Sequence, residues 1–343
     1  MKCVRFHEYG EPEVLKVEDI EEPTPSPGKV LIKVKAVGLN HLDLWVRKGL
    51  PGIKSVMPHI GGSDFTGEIV ALGDGVNDLE IGQSVIDFPL ESYGGVPFYL
   101  CDNPPKGTFE IIGEQSNGAC CEFINVNRPN ILPLPETLTF EEGAAIPIVF
   151  ITAWRMLTER AKLEMGETLL VQGAGSGVGS AAIQIGKLIG AKVIACTSTD
   201  KKAKQALDLG ADEIINYKNE SISERVKEIT KKNGVDVVLE HVGDATWKES
   251  IKSAAYHGRI VTCGATTGFK GETNLALLFA KQLSVLGSTM GTLPSFKRLL
   301  SFFEQGKLRP VIDRIMKLEE CKEAHEILEE GKQFGKIVLQ VNN

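Results

Sequence analysis

Gly175, Gly177 and Gly179 fall at every second position of Ala174-Gly175-Ser176-Gly177-Val178-Gly179. Glycine lets a main chain approach a ligand closely. A glycine turn that opens a helix also presents exposed N–H groups and the positive end of the helix dipole to a pyrophosphate. Such a hexad carries weight only where a strand precedes it and a helix follows. Both are readable here. Thr168-Leu169-Leu170-Val171-Gln172-Gly173 is a short apolar run, and Val178, Ala181, Ala182, Ile185, Leu188 and Ile189 recur at helical spacing. The stretch reads as strand, turn and helix around a nucleotide phosphate.

The next strand bears on which nucleotide. In the dinucleotide-binding fold an acidic residue about 20 positions after the glycines holds the ribose 2′-hydroxyl of NAD. Here Val193-Ile194-Ala195-Cys196 runs into Thr197-Ser198-Thr199 with no carboxylate, and Asp200 is followed at once by Lys201 and Lys202. Small hydroxyls and a lysine suit a 2′-phosphate, and Tyr217, after the third strand, adds a phenol. NADPH is therefore expected, bound at Ala174, Gly175, Ser176, Gly177, Val178 and Gly179 and at Thr197, Ser198, Lys202 and Tyr217. The two lysines also fit the solvated start of a helix, although lysines there oppose the helix dipole.

Alternating strand and helix must position this turn. From about residue 150, apolar strand candidates recur at 168–173, 192–196, 213–216, 235–240, 259–263 and 283–288, with helical segments between most of them. That rhythm predicts a doubly wound parallel sheet of six strands. Val242, Gly243, Cys263, Gly264, Ala265 and Ser288 follow the later strands, where the crevice beyond the carboxyl ends receives a ligand. Residues 1 to about 125 read differently, with short strands at 30–37, 67–73 and 82–87 separated by clusters such as Pro23-Thr24-Pro25-Ser26-Pro27-Gly28. Such punctuation predicts a small, partly open barrel. The last 50 residues hold helical patterns at 295–305 and 318–330 and a final strand at 335–339. They have no place in a six-stranded sheet and are expected to return to the first domain, giving domains 1–149 with 294–343, and 150–293.

A chain of 343 residues exceeds the size at which one core stops growing. A formal charge of −7 argues against a nucleic-acid surface, and no apolar run approaches the roughly 20 residues that span a bilayer. The start, Met1-Lys2-Cys3-Val4-Arg5-Phe6, lacks a signal peptide's apolar core. Seven scattered cysteines are no disulfide framework, so a reducing, cytoplasmic setting is expected.

Two N-terminal landmarks, Gly38-Leu39-Asn40-His41-Leu42-Asp43-Leu44-Trp45-Val46-Arg47-Lys48-Gly49 and Gly62-Ser63-Asp64-Phe65-Thr66-Gly67-Glu68-Ile69-Val70, stand ahead of Thr152-Ala153-Trp154 and the glycine turn. With them the whole chain resembles the medium-chain dehydrogenase/reductase superfamily. The resemblance implies a GroES-like, partly open β-barrel catalytic domain plus a doubly wound, six-stranded parallel Rossmann domain. The zinc alcohol dehydrogenases of the superfamily hold catalytic zinc at positions that are Asn40, Ser63 and Ile148 here. Their proton-relay residues match Leu42 and Trp45, and of the four cysteines of their structural-zinc lobe only Cys101 is present. No metal is expected.

The zinc-free quinone oxidoreductases match better, through Gly38, Asn40 and Asp43, then Trp45 and Arg47-Lys48-Gly49. The tyrosine donor of the enoyl thioester reductases falls on Pro51. The resemblance thus implies NADPH-dependent, metal-free hydride transfer to a quinone or an activated alkene such as an enone. Asn40, which otherwise reads as a turn residue after a strand, would donate its uncharged amide to the oxygen that becomes anionic. Asp43 would orient the neighbouring backbone and Arg47, and Asp64 would hold the site together. His41 would reach the pyrophosphate, while Thr152, Ser288 and Lys336 would contact the cofactor. Trp45, Phe88, Tyr93 and Glu114 are candidate pocket walls. A small-molecule substrate, no nucleic acid or membrane partner, and a homodimer or homotetramer are expected. Two other readings stand beside this one: a zinc-type alcohol dehydrogenase homologue acting on alcohols or aldehydes, and a non-catalytic NADPH-binding protein.

Overall fold

Alternation of apolar and polar residues makes Lys29–Gly38 a ten-residue strand in which Val30, Ile32, Val34 and Ala36 are fully buried. It is the spine of the first of two units in this computed structural model, which describes residues 1–49, 54–92 and 109–341. That unit comprises 1–148 and 292–343, and the second comprises 149–291. The spine pairs antiparallel with Asp64–Leu72, Phe123–Asn127 and Lys336–Gln340. Its sheet runs in the order Ile131–Pro133, Ser84–Asp87, Asp64–Leu72, Lys29–Gly38, Lys336–Gln340, Ile312–Lys317, with Phe123–Asn127 also on the spine. The C-terminal strand is therefore the spine's neighbour.

Register sets the chemistry of this unit. Gly38 stands opposite Asp64 on one side and Val338 on the other. A Cβ on Gly38 would lie 2.0 Å from the carbonyl oxygen of Ala144, so only glycine ends the spine here. After the spine Asn40 turns the chain into helix His41–Lys48, and the Asp43 carboxylate accepts the Asn40 backbone N–H at 2.7 Å, which satisfies one end group of the first turn.

The second unit is a parallel sheet of six strands: Thr168–Val171, Lys192–Thr197, Glu213–Asn216, Val235–Glu240, Ala254–Thr262 and Ser284–Gly287. In space they run third, second, first, fourth, fifth, sixth, the order of a dinucleotide-binding fold. Leu170, Ile194, Val238 and Ile260 are completely buried at its core. The fifth strand starts five residues before the predicted 259, because Ala254–Gly258 adds an irregular stretch with Tyr256 exposed. Helix Gly177–Ile189 rises directly from the glycine turn. No helix among the described residues is long and apolar enough to cross a membrane.

Candidate active site

Four side chains converge in the first unit. The Lys336 ammonium donates to Asn40 Oδ1 at 2.7 Å, to Asp64 Oδ2 at 2.9 Å and, more weakly, to the Gly38 carbonyl at 3.3 Å. Asn40 Nδ2 donates to Asp64 Oδ2 at 2.9 Å and to Gly38 O at 3.2 Å. The other Asp64 oxygen accepts the Ile148 N–H at 3.0 Å. Asp64 is fully buried, Lys336 3% exposed and Asn40 6% exposed, so the cluster is almost wholly shielded from water. Asp43 joins from below, its second oxygen accepting the Gly62 N–H at 2.9 Å.

Asn40, Asp43 and Asp64 are thus brought together, and Lys336 joins them, which the sequence reading did not foresee. Arg47 does not contact Asp43, contrary to expectation. It is buried against Gly10 O, His325 and Glu329, while both Asp43 oxygens are taken by the Asn40 and Gly62 N–H groups. Phe88 is no pocket wall: it is fully buried, with its ring 5.8 Å from that of Phe296. His41 is partly exposed, its ring edge-on to Trp45 at 6.4 Å. Glu114 is buried, and burial pushes its carboxyl up to about 7. Pro51, Tyr93 and Cys101 lie outside the described residues.

Two further groups stand beside this cluster, Ser63, which the sequence reading marked only as a lost zinc-ligand position, and Asp87, which it passed over. Ser63 Oγ is buried without a hydrogen-bond partner. Asp87 accepts the Phe65 N–H at 2.7 Å through one oxygen and leaves the other unpartnered. Burial first, then the Asp64 charge, holds the Asp87 carboxyl well above the usual range. Its native pKa therefore exceeds the unfolded value, so stability is full below about pH 4 and is lost as pH rises toward the native pKa. Asp87→Asn keeps the acceptor and removes the titration. Its melting temperature should gain on the parent's from pH 5 to pH 8, with the free-energy gain bounded by about 1.4 kcal/mol per pH unit; a constant offset would contradict this.

In the second unit, Ser176 Oγ accepts the Gly179 N–H at 2.9 Å and is hydrogen-bonded to His241 Nε2, 3.1 Å away. Burial lowers the His241 pKa, which favours the neutral ring. A Cβ on Gly179 would meet Gly173 O at 2.5 Å. The cradle is thus formed by close backbone approach, as a pyrophosphate site requires. Glu240, fully buried, accepts from the Val242 and Gly243 N–H groups and from the Thr246 and Ser250 hydroxyls, so it fixes the loop after the fourth strand. His241 and Glu240 have no sequence signal beyond their place at a strand end.

Thr197 is buried with its hydroxyl unpartnered, while Ser198 and Lys202 are half-buried and Tyr217 is 42% exposed. Thr199 Oγ1 caps the following helix through the Lys202 N–H. The structure gathers these residues at the carboxyl ends of the second and third strands. Gly175, Gly177, Val178, Cys263, Gly264, Ala265 and Ser288 are half-buried at the turn or after the fifth and sixth strands, while Ala174 and Thr152 are buried.

A barrel with a buried polar cluster and a six-stranded sheet with a glycine cradle define a pyridine nucleotide-dependent oxidoreductase. Residues 26–136 match the family model "Alcohol dehydrogenase GroES-like domain", and residues 177–305 match "Zinc-binding dehydrogenase". The quinone oxidoreductase of Rattus norvegicus is 33% identical over 348 residues, covering 99% of this chain and 97% of that protein. A crystal structure of an NAD-dependent alcohol dehydrogenase superposes with a TM-score of 0.95 at 40% identity over 100% of both chains. A crotonyl-CoA carboxylase/reductase solved in complex with NADP gives 0.90 at 26% identity, over 99% of this chain and 95% of that one. The chain belongs to the medium-chain dehydrogenase/reductase superfamily, whose quinone oxidoreductase branch it resembles along its whole length.

The second family model implies zinc, and the donor set here does not fit it. Catalytic zinc needs three protein ligands from cysteine, histidine or carboxylate. The three positions offer an amide, a hydroxyl and an isoleucine, and the Lys336 ammonium stands 2.7 Å from the Asn40 amide oxygen. A divalent ion there would face an existing positive charge.

Proposed function

We propose that this protein is an NADPH-dependent, metal-free oxidoreductase that transfers hydride to a quinone or an activated alkene such as an enone. One observation carries the reading: a lysine ammonium is bonded to Asn40 and Asp64, and by the resemblance Asn40 stands at a zinc-ligand position of the zinc-type relatives. NADPH supplies the hydride when bound. The protein supplies positive potential for the acceptor oxygen as it becomes anionic. The two donors aimed at Gly38 O are the longest in the cluster, at 3.2 and 3.3 Å. They turn to an oxyanion at little cost, while the shorter bonds to Asp64 hold both side chains in place.

Preference for the 2′-phosphate rests on the hydroxyl-rich strand end at Thr197 and Ser198, on Lys202 and Tyr217, and on the lack of a carboxylate there. Catalysis in a homodimer or homotetramer in the cytoplasm remains part of this proposal. The reading is tested by Asn40→Ala, which should lower kcat with a quinone or enone about 100-fold while the NADPH dissociation constant stays within twofold. Unchanged turnover would favour a protein that binds the nucleotide without catalysis.

A further inference from the structure

The hydrogen bonds around the glycine turn close into a ring, all of it within the second unit. Gln172, the residue before Gly173, donates through Nε2 to Ser250 Oγ at 3.0 Å. Ser250 Oγ donates to Glu240 Oε2 at 2.6 Å, and His241 follows Glu240 in the chain. His241 Nε2 lies 3.1 Å from Ser176 Oγ, and the Ser176 N–H returns to Gly173 O at 2.9 Å. Gln172, Glu240 and Ser250 are fully buried and His241 is 8% exposed, so little water competes for these bonds. The imidazole also packs on the turn itself: a Cβ on Gly173 would meet His241 Cε1 at 2.9 Å. Glu240 takes the Val242 and Gly243 N–H groups as well, at 2.7 and 3.2 Å, which fixes the main chain just after His241.

Ser176 belongs to both the ring and the cradle, and it is half-buried. A hydroxyl has one proton and two acceptor positions. The Gly179 N–H, at 2.9 Å, fills one acceptor position of Ser176 Oγ. The imidazole decides the rest. Protonated at Nδ1, it takes the Ser176 proton on Nε2 and leaves none for a ligand. Protonated at Nε2, it fills the second acceptor position, and the Ser176 proton is free. Burial lowers the His241 pKa, so the choice lies between the two neutral tautomers.

We infer that His241 is a positioning residue for the nucleotide diphosphate: protonated at Nε2, it turns the Ser176 hydroxyl outward as a donor to a phosphate oxygen. This role rests on the reading of the turn as a pyridine nucleotide site, and it adds a side-chain donor to the backbone N–H groups there. Glu240 acts at one remove, by holding the backbone that keeps the imidazole within reach of Ser176. A leucine in place of His241 fills much of the same space. Only a hydrogen-bonding side chain orients the hydroxyl.

The test is a fluorescence titration of the full-length protein with NADPH, with thermal unfolding in parallel. If NADH binds more tightly, NADH takes its place, since both carry the diphosphate. His241→Leu, which leaves the Ser176 helix cap intact, should raise the dissociation constant about fivefold. Ser176→Ala should raise it at least about tenfold, and the double variant no further than Ser176→Ala alone. His241→Gln restores a donor near the Nε2 position and should bind within about twofold of the unsubstituted protein. Nitrogen NMR of histidine-labelled protein saturated with nucleotide should show the proton of His241 on Nε2, the signal being assigned by its loss in His241→Gln. Equal losses in His241→Leu and His241→Gln, effects that multiply in the double variant, or a proton on Nδ1 in the complex would overturn the role of His241. So would a His241→Leu protein that melts lower yet binds the nucleotide as tightly as before. Failure of the unsubstituted protein to bind either nucleotide would overturn the reading of the turn, and this role with it.

Discussion

Lys336→Met should destabilise the protein by about 3–5 kcal/mol in urea unfolding, because it leaves the fully buried Asp64 charge without its cation. Turnover should fall by about 1000-fold in the fraction that remains folded, through loss of the positive potential at the acceptor oxygen. The double variant Lys336→Met with Asp64→Asn separates the two effects. Asparagine carries no charge, so most of the stability should return while kcat stays low. Recovery of both would mean that Lys336 is only a structural partner of Asp64. Loss of neither would remove the cluster from the account.

Gly179→Ala has the second large effect, chiefly on the cofactor. The added methyl carbon would lie 2.5 Å from Gly173 O and 2.8 Å from Ala174 Cα, both backbone atoms that cannot move aside as a side-chain tip can. The turn must open, and the N–H groups that face a pyrophosphate then diverge. The NADPH dissociation constant should rise at least about 100-fold in a fluorescence titration, with stability lowered by about 1–3 kcal/mol. An unchanged dissociation constant would place the nucleotide elsewhere.

Both effects trace to features of unequal legibility. The glycine cradle was readable because its parts are neighbours in sequence: strand, turn and helix within about two dozen residues, all with apolar periodicity. Most of the six parallel strands were readable for the same reason, since buried strands such as Thr168–Val171 and Lys192–Thr197 are largely apolar runs. Strand Ile312–Lys317 was not. It carries Asp313, Arg314 and Lys317 and no fully buried residue, so it has the composition of a surface loop and becomes a strand only by pairing with Lys336–Gln340.

The polar cluster was half legible. The resemblance marked Asn40, Asp43 and Asp64 as a group. The bond from Lys336 to Asn40 spans 296 positions, and only sheet register brings the two together. Cys321 and His325 are one helical turn apart and could be paired by spacing, yet nothing in the chain announces that Cys120 lines a small cavity with them. Arg47 was misassigned because its place one helical turn after Asp43 suggested contact, whereas backbone N–H groups take both Asp43 oxygens and the distant His325 and Glu329 take the guanidinium.

The claim that a lysine-centred cluster has replaced a metal is tested most directly by the chelated enzyme. Protein dialysed against EDTA and assayed for nucleotide oxidation with a benzoquinone or enone acceptor should retain full activity, with NADPH preferred over NADH by at least about tenfold in kcat/KM. Turnover that appears only after zinc is restored, or that runs with alcohol and NAD in preference, would contradict the account.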